Sequence, residues 1–147
     1  MGKIIIALLA CGLWLQTQAA DLNWGTDLPK ALAQAKSEKK MVFLDFTGSD
    51  WCIWCIKLDN DTFSKPEFAD YAKKNLVLMQ LDYPNNKPQS DELKKTNAAL
   101  ATKYNPEGIF PTLIAMKSDG TVVWKNEGYL EGGPKALIAE LDEAKKK

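Results

Sequence analysis

The spacing of apolar positions changes several times along the chain, and each change marks an element. Leu28, Ala31, Leu32 and Ala35 recur every three or four residues, which predicts a helix that opens behind Thr26 as its N-cap and runs to about Lys39. A short leading strand over Asp21 to Trp24 is expected before it. Met41 to Thr47 is almost wholly apolar apart from Asp45, the pattern of a central strand covered on both faces. Gly48-Ser49-Asp50 then turns the chain into a further helix. Ser64-Lys65-Pro66-Glu67 has capping-box spacing with a proline in the first turn, and predicts a helix to about Asn75 that buries Phe68 and Tyr71.

Leu76 to Leu81 reads as a second buried strand, followed by a polar loop from Asp82 to Ser90 that holds Pro84 and Pro88. Asp91 to Tyr104 is expected to be helical, with Leu93, Leu100, Ala101 and Tyr104 on one side. Pro111 to Met116 and Thr121 to Lys125 flank Asp119-Gly120, a compact hairpin signal. Gly133-Pro134 starts a closing helix with Leu137, Ile138 and Leu141 inward. Strands alternating with helices, ending in an antiparallel hairpin, predict one α/β layered domain over residues 21–147, with no internal repeat.

The first twenty residues stand apart from this pattern. Lys3 precedes an apolar run from Ile4 to Leu15, and Gln16 to Ala20 supply small residues, so residues 1–20 read as a secretory signal peptide cleaved after Ala19 or Ala20. The run is too short to span a bilayer comfortably. Leu8-Leu9-Ala10-Cys11 could alternatively be a lipobox that lipidates Cys11, but the apolar run continues past Cys11, which favours cleavage downstream. Export to the periplasm is the localisation expected.

With 19 basic and 19 acidic residues the chain is formally neutral, and every basic residue is lysine. Without arginine, the fork-shaped donor suited to phosphates and base edges is missing, so nucleic acid is not an expected partner. Lys145-Lys146-Lys147 reads as a solvated helix end.

Removal of the leader leaves two cysteines, Cys52 and Cys55, in Trp51-Cys52-Ile53-Trp54-Cys55. A strand leads into the pair and a helix is expected to follow. Thiols three residues apart on a first helical turn can form and break a disulfide reversibly, and the helix N-terminus favours Cys52 as the attacking thiolate. A purely structural disulfide would close a tiny loop, where chain-entropy stabilisation is smallest. A metal site is disfavoured because tetrahedral zinc needs four ligands and the chain has no histidine.

The order of strand, Trp-Cys-x-x-Cys helix, strand, helix, and then Ile109-Phe110-Pro111-Thr112 before a hairpin resembles the thioredoxin superfamily over essentially the whole of 21–147. Phe46-Thr47-Gly48-Ser49-Asp50-Trp51-Cys52, with a second tryptophan inside the motif, is similar to secreted bacterial thioredoxin-like oxidoreductases of the DsbH type and, more distantly, to the C-terminal domain of DsbD. The resemblance implies a thioredoxin fold, a central mixed sheet flanked by helices. It implies that Cys52 is an exposed nucleophile and Cys55 the buried resolving cysteine. Pro111 matches a cis-proline packed against the motif, an arrangement that leaves the backbone of Phe110 free to pair with an extended substrate. An ordinary proline at a strand start is the alternative.

Trp51 matches an aromatic that shields the disulfide, and Trp54 is a candidate substrate contact. Asp45 matches a buried acid that helps deprotonate the resolving cysteine, and burial should raise its pKa. Two departures bear on Asp45: the stretch from Asp45 to Cys52 is one residue longer than in thioredoxin, and the second strand lacks a lysine to pair with it.

The resemblance further implies an enzyme, a thiol–disulfide oxidoreductase that needs no bound cofactor and acts as a monomer. Ile53-Trp54 carries no histidine to stabilise the thiolate and Asp50 adds a negative charge nearby, so the couple should lean toward reduction of protein or small-molecule disulfides. The electrons would come from a membrane thiol reductase of the DsbD type. An oxidase or isomerase, or a non-catalytic client-binding module, are the alternatives.

Overall fold

The computed structural model describes residues 22–147; the expected leader, its cleavage site and Cys11 lie outside them. The elements run α1 (Leu28–Glu38), β1 (Met41–Thr47), α2 (Ile53–Leu58), a π-helical turn (Asp59–Phe63), α3 (Pro66–Asn75), β2 (Leu76–Asp82), α4 (Asp91–Tyr104), β3 (Thr112–Met116), β4 (Val122–Glu127) and α5 (Gly133–Ala144). The sheet has the order β2-β1-β3-β4. β1 pairs parallel with β2 and antiparallel with β3, and β4 closes an antiparallel hairpin on β3, so the sheet is mixed as expected. Among the described residues no helix is long and apolar enough to cross a membrane.

Every residue of β1 is buried, which explains its unbroken apolar run. Alternation along the strand divides that run between two cores. Met41 and Phe43 pack with Leu58, Phe63, Phe68, Leu137 and Leu141 from α2, the π turn, α3 and α5. Val42, Leu44 and Phe46 pack on the opposite face with Leu28, Ala31 and Ala35 of α1. Asp45, two residues beyond Phe43, therefore belongs to the face that α2 covers. Trp24, Phe43, Phe63 and Phe68 form an aromatic cluster with centroids 5.0 to 6.4 Å apart on that face. It anchors the far end of the helix that carries the cysteines.

Three local expectations are corrected. The N-cap of α1 is Asp27, whose Oδ1 accepts the Lys30 N–H at 3.0 Å. Thr26 lies one residue too early, because Asp27 is still extended, at φ −114° and ψ 104°, and helical geometry starts at Leu28. Ser64 is not the N-cap of α3: its own N–H donates to the Asp59 carbonyl at 2.8 Å and closes the π turn. Pro66 holds the residue before it extended, so the cap falls on Lys65, without a side-chain bond. The leading strand shrinks to one parallel bridge, Gly25 against Met79, because α1 begins three residues later.

Smaller differences follow the same logic. Tyr71 is half-buried, with its hydroxyl donating to Asp142 at 2.8 Å. Ile138 is also half-buried, while Ala144 joins Leu137 and Leu141 inside. The hairpin turn forms where Asp119-Gly120 places it, and Gly120 takes the positive φ of 86° that the turn needs.

Candidate active site

The site starts from the end of β1. Gly48 accepts the N–H groups of Trp51 and Cys52 at 3.2 and 2.8 Å, and this tight turn sets Cys52 as the N-cap of α2. Cys52 and Cys55 are joined in a disulfide with Cα atoms 5.2 Å apart. The Cys55 N–H points at the Cys52 Sγ at 3.2 Å, so the first turn of the helix supplies a donor to the sulfur that would carry the thiolate. Cys55 is buried, as expected. Cys52 is only 6% exposed in this disulfide form, which corrects the expectation of an exposed nucleophile. The cap position draws its sulfur under the turn, while Trp51 beside it takes the water-facing place at 44% exposure.

One loop holds this turn, and local sequence signals did not reveal it. Asp82 at the end of β2 accepts both the Ser49 N–H, at 2.9 Å, and the Ser49 hydroxyl, at 2.6 Å. Asp50 accepts the backbone N–H groups of Asn85 and Asn86 at 2.9 and 2.6 Å. Those two bonds hold its carboxyl below the usual range. The charge expected to disfavour the thiolate is thus also a staple for the loop. Trp51 completes the seam by donating its indole N–H to the Tyr83 carbonyl at 2.7 Å.

Gly48 makes the Trp51 pose possible: a Cβ there would lie 2.3 Å from the indole ring. Gly48→Ala is expected to expel the indole into water, breaking the Trp51–Tyr83 bond, at a cost of about 1–3 kcal/mol. Acrylamide quenching of Trp51, in a variant with the other tryptophans replaced by phenylalanine, should rise. Unchanged quenching would show that the turn adapts instead.

The second motif meets the first through aromatic rings. The Phe110–Pro111 peptide is cis. The segment is fixed by Asn105, whose amide donates to the Ile109 carbonyl at 2.9 Å and accepts the Ile109 N–H at 3.1 Å. Phe110 meets Trp51 edge-on at 5.6 Å and Tyr83 at 5.4 Å. Trp51, Phe110 and Pro111 are therefore brought together. Trp54 points to another flank and rests 5.5 Å from Tyr129.

Asp45 is 3% exposed, on the face of β1 that α2 covers. Gln80 stands on β2 where a lysine would have paired with the acid, and donates a long 3.4 Å bond to Oδ2, while Oδ1 has no partner. Burial pushes the carboxyl up to about 7; the Gln80 bond opposes this, and the charges of Asp59 and Asp82 add to it. Such a group gains and loses a proton near neutral pH. Among the described residues no cluster of three or more histidine, cysteine, aspartate or glutamate side chains could hold a metal ion.

A family model described as thioredoxin-like matches residues 23–116. The disulfide bond reductase DsbH of Chlamydia pneumoniae is 33% identical over 128 residues, which cover 87% of this chain and 75% of that protein. The thiol:disulfide interchange protein DsbD of Vibrio vulnificus (strain CMCP6) is 36% identical over 126 residues, 81% of this chain but only 20% of DsbD. Among solved structures, a DsbH oxidoreductase superposes with a TM-score of 0.79 at 29% identity, covering 99% of this chain and 95% of the other. The oxidised C-terminal domain of DsbD from Neisseria meningitidis superposes with a TM-score of 0.56 at 25% identity, covering 80% and 89%.

Proposed function

Because the chain belongs to the thioredoxin-like family of thiol–disulfide oxidoreductases, we propose that it works as a disulfide reductase in the periplasm, with Cys52 as nucleophile and Cys55 as resolving thiol. The observation that carries this reading is the placement of Cys52 at the start of α2, with the Cys55 N–H on its sulfur and the Pro111 segment across the same aromatic seam.

In the reduced enzyme the Cys52 thiolate attacks one sulfur of a substrate disulfide. The substrate S–S bond breaks, and its other sulfur leaves as a thiolate that takes up a proton. A Cys52–substrate disulfide remains. Cys55, giving its proton to Asp45, attacks the Cys52 sulfur and expels the second substrate thiolate, which is protonated in turn. Two electrons have passed to the substrate, and Cys52–Cys55 is oxidised. Trp51, Trp54, Phe110 and Pro111 form the surface on which the substrate lies during these steps, and the backbone of Phe110 offers it an extended edge.

The enzyme acts as a monomer on protein or small-molecule disulfides. Return to the dithiol takes two electrons from a thiol donor, for which a membrane reductase of the DsbD type is suited. The leader-like residues 1–20 support the exported location. The reducing direction is supported by Asp50, held ionised two residues before Cys52, and by Lys57, already paired with Asp61. Asp50 disfavours the Cys52 thiolate and Lys57 is not free to stabilise it, and a less stable thiolate form means a more stable disulfide.

Equilibration of residues 21–147 against dithiothreitol buffers should give a potential near that of thioredoxin, about −270 mV. A value near about −120 mV would overturn the reducing direction and make the protein a disulfide donor.

A further inference from the structure

Trp51, Ile53, Trp54 and Ile56 surround the first turn of α2 with much of their surface in water, Ile53 at 74% and Trp54 at 52%. Among the described residues Val122 is the one other large hydrophobic side chain so exposed. Exposed apolar surface gathered at one place, beside a reactive disulfide, is the mark of a contact site.

Trp54 is not loose within it. Its ring leans on Tyr129, 5.5 Å away at 41°. The Tyr129 hydroxyl donates to Asp61 Oδ2 at 2.8 Å, and Lys57, paired with the same carboxylate, sits 5.1 Å above the Tyr129 ring. The residue before it, Gly128, donates its N–H to the Pro111 carbonyl at 2.7 Å. Tyr129 therefore joins the helix that carries the cysteines to the segment that faces them. The contact is long-range in sequence and polar only at its outer end.

The charges bordering this surface are already used. Lys57 is committed to Asp61, Lys87 donates to the Ser49 hydroxyl at 2.8 Å, and the Asp50 carboxylate is capped by two N–H groups. A small disulfide rich in carboxylates would find no unengaged cation among these groups. An uncharged apolar side chain would cover the Trp54 and Tyr129 rings and displace water from both.

We propose that Tyr129 is a specificity-determining residue: with Trp54 it forms an apolar wall that selects peptide disulfides whose cysteine has a bulky apolar neighbour. The proposal rests on the exchange reading above and adds a substrate class to it. The ring makes the contact, and the hydroxyl bond to Asp61 fixes the pose of the ring.

The test uses two synthetic peptide disulfides of equal length and charge, one with leucine beside the cysteine and one with serine there. Wild-type kcat/KM is expected to favour the leucine peptide at least tenfold, mostly through KM. Tyr129→Ala should bring that ratio down toward one, and Tyr129→Phe, which keeps the ring, should retain most of it. Each variant is scored by its own ratio, with kcat on the serine peptide retained, which an unfolded chain would not show. A wild-type ratio near one, or a ratio unchanged in Tyr129→Ala, would overturn the proposal alone. Wild-type protein that reduces neither peptide would overturn the exchange reading, and the proposal with it.

Discussion

Cys52→Ser is expected to lower disulfide reduction by at least about 10³-fold while leaving the fold in place. The attacking species in exchange is a thiolate, and a serine hydroxyl neither ionises near neutral pH nor forms a bond to sulfur that Cys55 could resolve. Cys55 is a poor substitute, because it lies within α2, whereas the N-cap position and the Cys55 N–H both favour a thiolate at Cys52. The fold should persist because position 52 is an N-cap that accepts the Cys55 N–H, and serine caps helices well. Loss of so short a cross-link costs only about 2 kcal/mol in the chain-entropy picture. The variant should therefore melt close to the reduced wild type while its reductase activity falls to background. Cys55→Ala should do the converse: the first attack survives, release fails, and covalent enzyme–substrate disulfides accumulate on non-reducing gels. Residual reduction by Cys52→Ser, or the absence of adducts with Cys55→Ala, would leave the client-binding module as the better reading.

How much of this was legible in the sequence depends on the range of the interaction. β1 announced itself because burial on both faces forces apolar residues at nearly every position, and the hairpin did so because Asp119-Gly120 has few other uses. The cysteine motif and Pro111 were legible through their order and context. The caps fall one residue beyond Thr26 and Ser64, because the residue before each helix stays extended and a proline stands in each first turn. The half-buried state of the seam was not legible at all. Asp82 holds Ser49, and Tyr129 supports Trp54, across separations of 33 and 75 residues that no local pattern encodes. The sequence shows Asp50 only as a charge, because its two backbone partners exist only once the loop after β2 has folded against the turn. The burial of Cys52 follows from its place as the N-cap under the Gly48 turn, a tertiary detail that the motif alone does not encode.

Asp45→Asn is expected to stabilise the protein at alkaline pH and to slow catalysis at neutral pH, a pairing that a merely structural residue would not give. The carboxyl titrates at about 7 when folded, against its ordinary 3.8. Below pH 4 it is protonated in both states and burial carries no ionic cost. Between about 4 and 7 the unfolded chain releases the proton while the folded one keeps it, so stability declines as pH rises, and above 7 the full difference has been lost. At 1.36 kcal/mol per unit this amounts to about 4 kcal/mol at pH 8, or a shift in melting temperature on the order of 10 °C. Asparagine has nothing to titrate and its oxygen can still accept from Gln80. The variant should match wild type near pH 4 and exceed it by roughly that margin at pH 8. Parallel melting curves across the range would show that the carboxyl is not titrating in the folded protein. In the proposed mechanism the fraction of Asp45 that is ionised at neutral pH accepts the proton of Cys55 as it attacks, so the rate of substrate release in the variant at pH 7 should fall by about 10²-fold. The wild-type pH–rate profile should carry an inflection near 7 that the variant lacks. An inflection that survives in Asp45→Asn would assign it to the cysteines and leave Asp45 a buried group retained at a cost in stability, with no part in moving the proton.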